Sequence, residues 1–204
     1  MRIITISREF GSGGRELAKR LSDHLGIDYY DSEILTVVAK NSNSDEHYVE
    51  NMLVNHGWQQ YPMTFRNTLT SPTNIHTNKI NLLLEQKRVI EQIASLGKDF
   101  IIVGRNADII LQNYKPFNIF VCATTEAKLK RCKERASKEE NLTEKEYLRK
   151  MKLIDKNRAQ TREILTNLKW GQKDAYHLTV NTTDWEIKEL VHVVSTFANE
   201  WFNK

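Results

Sequence analysis

Cysteine, proline and glycine are all scarce in this sequence of 204 residues, which contains two, three and eight of them respectively. The two cysteines, Cys122 and Cys132, are too few for a disulfide framework. We therefore expect reduced thiols, as in a cytoplasmic protein. The length is ample for a hydrophobic core, and an apolar fraction of 40% is typical of a globular chain.

Long apolar runs are absent as well. The stretch Ile3–Ile6 near the N-terminus is too short for the apolar part of a secretory signal. No segment approaches the ~20 apolar residues that a membrane span requires. We expect a cytoplasmic protein that has no membrane partner.

Neither sign of charge dominates, because 30 Lys and Arg stand against 26 Asp and Glu, a net charge of +4. This mild basic excess suits anionic ligands, including nucleotides. It does not indicate a nucleic acid, and we do not expect one as a partner. The six histidines show no metal-ligand spacing, so we predict no metal site built by the protein itself.

Short apolar runs alternate with helical patterns along the chain. The predicted strands are Ile3–Ile6, Ile27–Tyr30, Phe100–Val103, Asn118–Cys122 and Leu178–Asn181. Strands that alternate with helices indicate a parallel sheet covered on both faces. We therefore predict one α/β domain over residues 1–204, with three layers in the order α/β/α.

Helix signals lie between the predicted strands. One helix should end at Gly26, and another should cover Ile80–Leu96. Capping-box signatures predict two further helix starts, at Thr143 with Glu146 and at Thr183 with Glu186. The polar segment 41–78 is predicted to be an irregular insert that closes over a ligand, and 136–172 to be a lid-like helical region.

The segment Ser7–Glu16, Ser-Arg-Glu-Phe-Gly-Ser-Gly-Gly-Arg-Glu, joins the first strand to the first helix. Glycines allow backbone N–H groups to converge on a ligand, and the start of a helix adds partial positive charge. With Arg8 and Arg15 at its flanks, this segment predicts a phosphate-binding turn.

Two phosphate-binding patterns compete for this turn. A dinucleotide fingerprint would start at Gly11, with Asp31 at the position of a ribose-binding acid, but its third glycine is Glu16. A Walker pattern aligns over residues 8–15 and keeps Gly13. It lacks the lysine, at Gly14, and the Ser/Thr magnesium ligand, at Arg15, so an arginine would have to supply the missing charge.

Polar residues also follow two other predicted strands, Asp31 after the second and Gly104-Arg105-Asn106 after the third. Ligands of parallel sheets bind beyond the carboxyl ends of the strands. Asp31 and Arg105 are therefore candidates to bind a ligand beside the turn, although Asp31 could equally cap a helix.

The stretch Ile-Ser-Arg-Glu-Phe-Gly-Ser-Gly-Gly-Arg-Glu-Leu, followed by Leu-Gly-Ile-Asp-Tyr-Tyr-Asp, resembles the cytidylate kinase-like family. Val103-Gly104-Arg105-Asn106 is similar to the family's Asp-Gly-Arg-Asp segment, with Val103 and Asn106 in place of its acids. Asp155-Lys156-Asn157-Arg158 is similar to a lid stretch that flanks the reaction centre. The resemblance implies a P-loop nucleoside monophosphate kinase fold.

The resemblance also implies an ATP-dependent phosphotransferase whose acceptor is CMP or another small phosphorylated molecule. Magnesium would be held mainly by phosphates and water. The implied catalytic residues are Arg8, Arg15, Arg158 and Arg162, and the acceptor would contact Asp31, Arg105 and Asn106. The donor nucleotide would contact Ser7, Arg8, Gly11, Ser12, Gly13, Gly14, Arg15, Glu16, Arg131 and Arg135.

Some of these assignments have a plainer alternative. Arg131 and Arg135 lie one helical turn apart and could only solvate a helix face, and Arg158 and Arg162 have the same spacing. Loss of the lysine also favours a second function, a nucleotide-binding regulator without catalysis. The dinucleotide pattern leaves a third, a dinucleotide-dependent enzyme.

Overall fold

The computed structural model describes residues 1–31, 76–136 and 142–204, with the side chains of 76–82 left aside. The strands are β1 (Ile3–Arg8), β2 (Asp28–Tyr30), β3 (Phe100–Val103), β4 (Phe117–Cys122) and β5 (Leu178–Asn181). The helices are α1 (Gly14–Leu25), α2 (His76–Ser95), α3 (Ala107–Ile110), α4 (Thr125–Arg135), α5 (Glu144–Leu165) and α6 (Ile187–Phe202). Short 3₁₀ turns cover Gln112–Tyr114 and Lys173–Ala175.

The five strands form one parallel sheet in the order β2-β3-β1-β4-β5. Ile3 pairs with Phe100 on one side of β1, and Ile4 pairs with Phe117 on the other. Every residue of β1 is buried, although successive side chains point to opposite faces of the sheet. Helices therefore cover both faces, and the predicted three-layer α/β/α class is confirmed.

Most helix ends follow the predicted signals. Gly26, at φ +65°, ends α1 in the left-handed conformation that a glycine adopts without strain. Thr143 and Glu146 form the predicted capping box at the start of α5. The second predicted box is wrong: α6 begins at Ile187, and Thr183 instead bonds Asn181 and accepts from the N–H of Thr124.

Strand ends differ from the predictions mainly at β1, which continues two residues past Ile6. Ser7 and Arg8 still pair with β4, opposite Phe120 and Val121. Most of the predicted insert 41–78 lies outside the described residues. Among the described helices, none combines the length and apolarity of a membrane span.

Candidate phosphate-binding site

The turn between β1 and α1 places a helix start at the carboxyl edge of the sheet. Gly11 and Gly13 have φ values of +77° and +82°, in the left-handed region that glycine tolerates best. Gly13 is the residue before the helix and provides no side-chain cap. The first N–H groups of a helix and the positive end of its dipole form the kind of site that binds anions.

Neighbouring elements hold this turn in shape. The Ser12 hydroxyl donates to the Glu9 carbonyl at 2.9 Å, and the Thr182 hydroxyl donates to the Ser12 carbonyl at 2.7 Å. Ser12 and Thr182 are both fully buried. Thr182 follows β5, so the last strand of the sheet fixes a turn that lies 170 positions earlier in the chain.

Helix α4 closes the outer side of the turn. A Cβ at Gly11 would lie 3.0 Å from both the Cys132 sulfur and the Lys128 carbonyl oxygen, so packing as well as φ requires glycine there. The Lys128 amine lies 2.8 Å from the carboxylate of Glu9. This ion pair neutralises a carboxylate that would otherwise repel a bound phosphate.

Arg8, at the end of β1, lies within the site. Its side chain is 8% exposed, and its guanidinium packs over Gly104 at the end of β3. Burial, and next the charge of Arg158, lower the pKa of Arg8 to about 9, with Tyr29 and Asp31 opposing the shift. Among the described residues no carboxylate forms an ion pair with this guanidinium.

Arg15, in the first turn of α1, reaches the end of β2. Its guanidinium lies 2.5 Å from the carboxylate of Asp31, which is 1% exposed. The Tyr29 hydroxyl also donates to Asp31, at 3.3 Å. Asp31 therefore positions an arginine at the site, and the helix that it could have capped lies outside the described residues.

The segment after β3 has an unusual backbone. Gly104, Arg105 and Asn106 all have positive φ, at +77°, +59° and +52°. Left-handed Arg and Asn residues cost free energy and concentrate at functional sites. The turn brings Arg105 close to Arg8. Loss of hydration, and next repulsion by Arg8, lower the pKa of Arg105 to about 10, and Asp31 opposes the shift.

Helix α5 brings Arg158 to the same place. Its guanidinium donates to the Arg8 carbonyl at 3.0 Å and pairs with Asp155 at 2.9 Å. Asp155 in turn accepts from the backbone N–H of Phe10 at 2.8 Å. Burial raises the pKa of Asp155 and lowers that of Arg158, and their mutual attraction opposes both shifts.

The structure thus brings together Arg8, Arg15, Arg105 and Arg158 beside the turn. Two carboxylates, Asp31 and Asp155, stand among these four positive charges. The cluster therefore keeps an excess of positive charge in partly desolvated surroundings. Planar guanidinium groups bind phosphate oxygens in pairs, so the arrangement suits a ligand with several phosphate charges.

Two predicted donor-binding arginines contact protein groups at the edge of the site. Arg131 donates to the Thr182 hydroxyl at 3.0 Å and to the Trp185 carbonyl at 3.2 Å. Arg135 pairs with Glu16, which also binds Arg20. These contacts tie α4 to α1 and to the segment after β5, and a role in donor binding remains a prediction for both arginines and for Glu16.

The structure does not place Arg162, the fourth arginine predicted to be catalytic, beside the turn. Its side chain is fully buried and lies 2.7 Å from the carboxylate of Asp108, which is also buried. Its guanidinium carbon lies 5.3 Å from the centre of the Tyr176 ring. Helix spacing puts Arg158 and Arg162 on one face of α5, but Arg158 meets the turn while Arg162 anchors the helix end.

Sequence reasoning missed Asp108, Thr182 and Lys128, whose partners lie far away in the chain. Asp108 follows Arg105 by three positions, so its pairing with Arg162 joins the strained turn to α5. Of these three residues, only Thr182 could have been proposed from the sequence, because it directly follows a predicted strand.

Magnesium would find few ligands here. The position of the Walker Ser/Thr is Arg15, which pairs with Asp31. Val103, the last residue of β3, stands in place of the first acid of the family's Asp-Gly-Arg-Asp segment and is fully buried. In the described ranges, no group of three or more His, Cys, Asp or Glu side chains could hold a metal ion. A protein-built magnesium site does not fit these residues.

The strand order argues against the dinucleotide alternative. In a dinucleotide-binding sheet, β1 and β2 are neighbours, which places the acid after β2 next to the glycine turn. Here β3 lies between them. The ends of β1 and β3 are therefore neighbours at the carboxyl edge of the sheet.

Comparison with known proteins identifies a family. The cytidylate kinase-like family model matches residues 3–184. No curated protein is significantly similar in sequence.

Solved structures show the same fold. An uncharacterized protein from Eubacterium ventriosum is 26% identical, with a TM-score of 0.71 over 98% of this chain and 99% of that one. Shikimate kinase from Bacteroides thetaiotaomicron is 12% identical, with a TM-score of 0.55 over 97% of this chain and 98% of the other. Shikimate kinase from Acinetobacter baumannii, solved with shikimate, is 11% identical, with a TM-score of 0.54 over 98% and 94%.

Proposed function

Since the chain belongs to the cytidylate kinase-like family, we propose that it transfers a phosphoryl group from ATP to a small phosphorylated acceptor. One observation carries the proposal: four arginines from four segments converge beside a glycine turn at the end of β1. Phosphoryl transfer requires mainly in-line positioning and positive charge around the moving group. The side chains of the cluster can provide both the positioning and the positive charge.

The roles follow from position. The turn Gly11–Gly14 and the start of α1 bind the donor phosphates through backbone N–H groups. Arg105 binds the phosphate of the acceptor, with Asn106 beside it, while Asp31 holds Arg15 in place. Arg158 lies between the two sides and stabilises charge on the transferred group. ATP would bring its own magnesium ion, which phosphate oxygens and water would hold.

The excess charge favours an acceptor that is itself phosphorylated. An uncharged alcohol would leave the cluster around Arg105 and Arg158 partly unneutralised after the donor had bound. Nucleoside monophosphates, including CMP, and sugar phosphates have the required dianion. Shikimate, which is bound in one of the structurally similar kinases, is a useful contrast because it has a carboxylate and no phosphate.

The test is an acceptor screen. The protein is incubated with ATP, magnesium and a panel of nucleoside monophosphates, sugar phosphates and shikimate, and ADP release is measured. We expect release that depends on one phosphorylated acceptor and falls at least about a hundredfold in Arg158→Ala. The matched control is Arg149→Ala, an exposed arginine of the same helix. Turnover without dependence on Arg158 would contradict the assigned role.

A second function is favoured by one feature, the absence of the Walker lysine and of its neighbouring magnesium ligand at Gly14 and Arg15. It is a nucleotide-binding regulator that does not catalyse transfer. Tight ATP binding without turnover on any acceptor would support the regulator and reject the kinase.

A further inference from the structure

Gly14 is the position at which a Walker turn has its lysine, and its backbone does not explain why it is glycine. Gly14 is the first residue of α1 and is not among the glycines with positive φ. Most residues fit that backbone conformation. The reason for the glycine must therefore be steric.

The side chain of Arg8 supplies that reason. A Cβ at position 14 would lie 2.6 Å from the Cβ of Arg8, closer than carbon atoms approach, and 3.2 Å from its Cγ, which is a tight contact. It would also lie 3.1 Å from the Cβ of Val121 in the neighbouring strand β4. Arg8 stands at the first glycine position of the Walker pattern, so its stem fills the space that a lysine stem at 14 would enter.

From there Arg8 runs to the phosphate site. Its head group lies over Gly104, whose missing Cβ leaves room for it. The side chain is more than nine-tenths buried, and no described carboxylate forms an ion pair with it. A buried cation without an ion-pair partner is costly to a folded protein, and a bound anion would reduce that cost.

We propose that Arg8 and Gly14 have exchanged roles, so that Arg8 is the phosphate-binding cation of this turn and Gly14 is the space that its stem needs. The inference rests on the proposed function in one respect, that the turn binds the donor phosphates. It goes further by assigning the missing charge to one of the two flanking arginines. Arg15 is excluded from this role because Asp31 holds it at the end of β2.

The experiment measures binding of ATP and of inorganic pyrophosphate by calorimetry, without turnover. We expect Arg8→Met, which keeps much of the stem and removes the charge, to weaken both ligands at least about tenfold, the scale of one lost charge-assisted contact. Arg149→Met should leave both affinities unchanged, because Arg149 is exposed on α5. Arg8→Met should melt at the same temperature as the wild type or higher, since it removes a buried charge.

The exchange itself is tested by a double substitution. Gly14→Lys alone should be strongly destabilising, because the lysine stem meets Arg8. Arg8→Gly alone should lose pyrophosphate affinity. Arg8→Gly with Gly14→Lys recreates Gly-x-x-x-x-Gly-Lys. It should be more stable than Gly14→Lys alone and should bind pyrophosphate more tightly than Arg8→Gly alone, although the contact with Val121 remains.

The outcomes separate this inference from the proposed function. If the wild type binds both ligands and Arg8→Met binds them equally well, the role of Arg8 is rejected while the kinase stands. The exchange is also rejected if Gly14→Lys does not raise the affinity of the Arg8→Gly variant. Binding that depends on Arg8 without turnover supports the inference and rejects the kinase. A wild type that binds neither ligand rejects both.

Discussion

Asp155 accepts a hydrogen bond from the backbone N–H of Phe10, 145 positions earlier, at 2.8 Å. The same carboxylate oxygen pairs with Arg158, which donates to the Arg8 carbonyl. Helix α5 is thereby fastened to the phosphate-binding turn at two adjacent points. We therefore expect α5 and the turn to respond together to a ligand.

Asp155→Ala should loosen both segments. The Phe10 N–H would lose its acceptor and Arg158 its counter-charge, a loss of about 1–3 kcal/mol if the N–H stays buried. Hydrogen exchange should therefore rise in peptides that cover 8–12 and 150–158, whereas Glu144→Ala, at the exposed start of α5, should not affect the turn. Unchanged exchange at 8–12 would show that the contact does not hold the turn.

The ion pair between Arg162 and Asp108 is the second anchor of α5. Both side chains are buried, and breaking a buried pair by removing one partner costs about 3–5 kcal/mol. We expect that loss in urea unfolding of either Arg162→Met or Asp108→Leu. The double variant should recover much of it, because no charge is then left alone in the interior.

The same double variant tests whether Arg162 acts on the ligand. If Arg162 only anchors the helix, a folded Arg162→Met/Asp108→Leu protein should still bind ATP within a few-fold of the wild type. If the variant has the circular dichroism and melting temperature of the wild type but does not bind ATP, then Arg162 does contribute to ligand binding.

The glycine turn and the parallel sheet could be predicted because their signals are local. Apolar runs mark the strands, and the glycines mark the turn. The extension of β1 to Arg8 could not be predicted in this way, because Ser7 and Arg8 are polar and pair through their backbone with β4. Thr183 had the capping pattern but has its hydroxyl engaged by Asn181 and Thr124.

The site residues show the same difference between local signals in the sequence and contacts that depend on the fold. Arg15 and Arg105 could be proposed from their positions after glycines or strands, but the partner of each depends on which strands are neighbours. The sequence also described Gly14 only as a missing lysine. Its steric relation to Arg8 requires the fold, because Arg8 must be in a strand and Gly14 in a helix for their Cβ positions to meet.

Gly104 offers a test with a matched control. Gly104 has φ +77°, and a Cβ there would overlap the Arg8 guanidinium. Gly97 has φ +70°, and a Cβ there would have no heavy atom within 4 Å. Both alanine variants incur the strain of a left-handed residue, about 1–2 kcal/mol.

Only Gly104→Ala should also displace Arg8. We therefore expect Gly104→Ala to lose more stability than Gly97→Ala in urea unfolding, and to weaken pyrophosphate binding, which Gly97→Ala should leave unchanged. If the two variants lose the same amount of stability and both still bind pyrophosphate, the Arg8 guanidinium does not pack against Gly104.

His177 gives the fold a dependence on pH that is independent of the site. Its ring stacks on Trp201 with centres 4.2 Å apart, and its Nδ1 accepts from the N–H of Asn118 at 3.0 Å. Burial, and next the charge of Lys204, lower the pKa of His177 below its usual 6.5. The folded state therefore favours the neutral ring.

Between the lowered pKa and 6.5 the unfolded chain binds more protons than the folded one, so stability falls as the pH decreases through this range. His177→Asn keeps an acceptor near the Asn118 N–H but does not titrate. The wild type should lose stability relative to this variant as the pH is lowered from about 7.5 to 5, measured by urea unfolding. The other histidines are common to both proteins and therefore contribute equally to both curves of stability against pH. If the two curves are parallel, His177 does not contribute to the pH dependence, and the explanation from its lowered pKa is wrong.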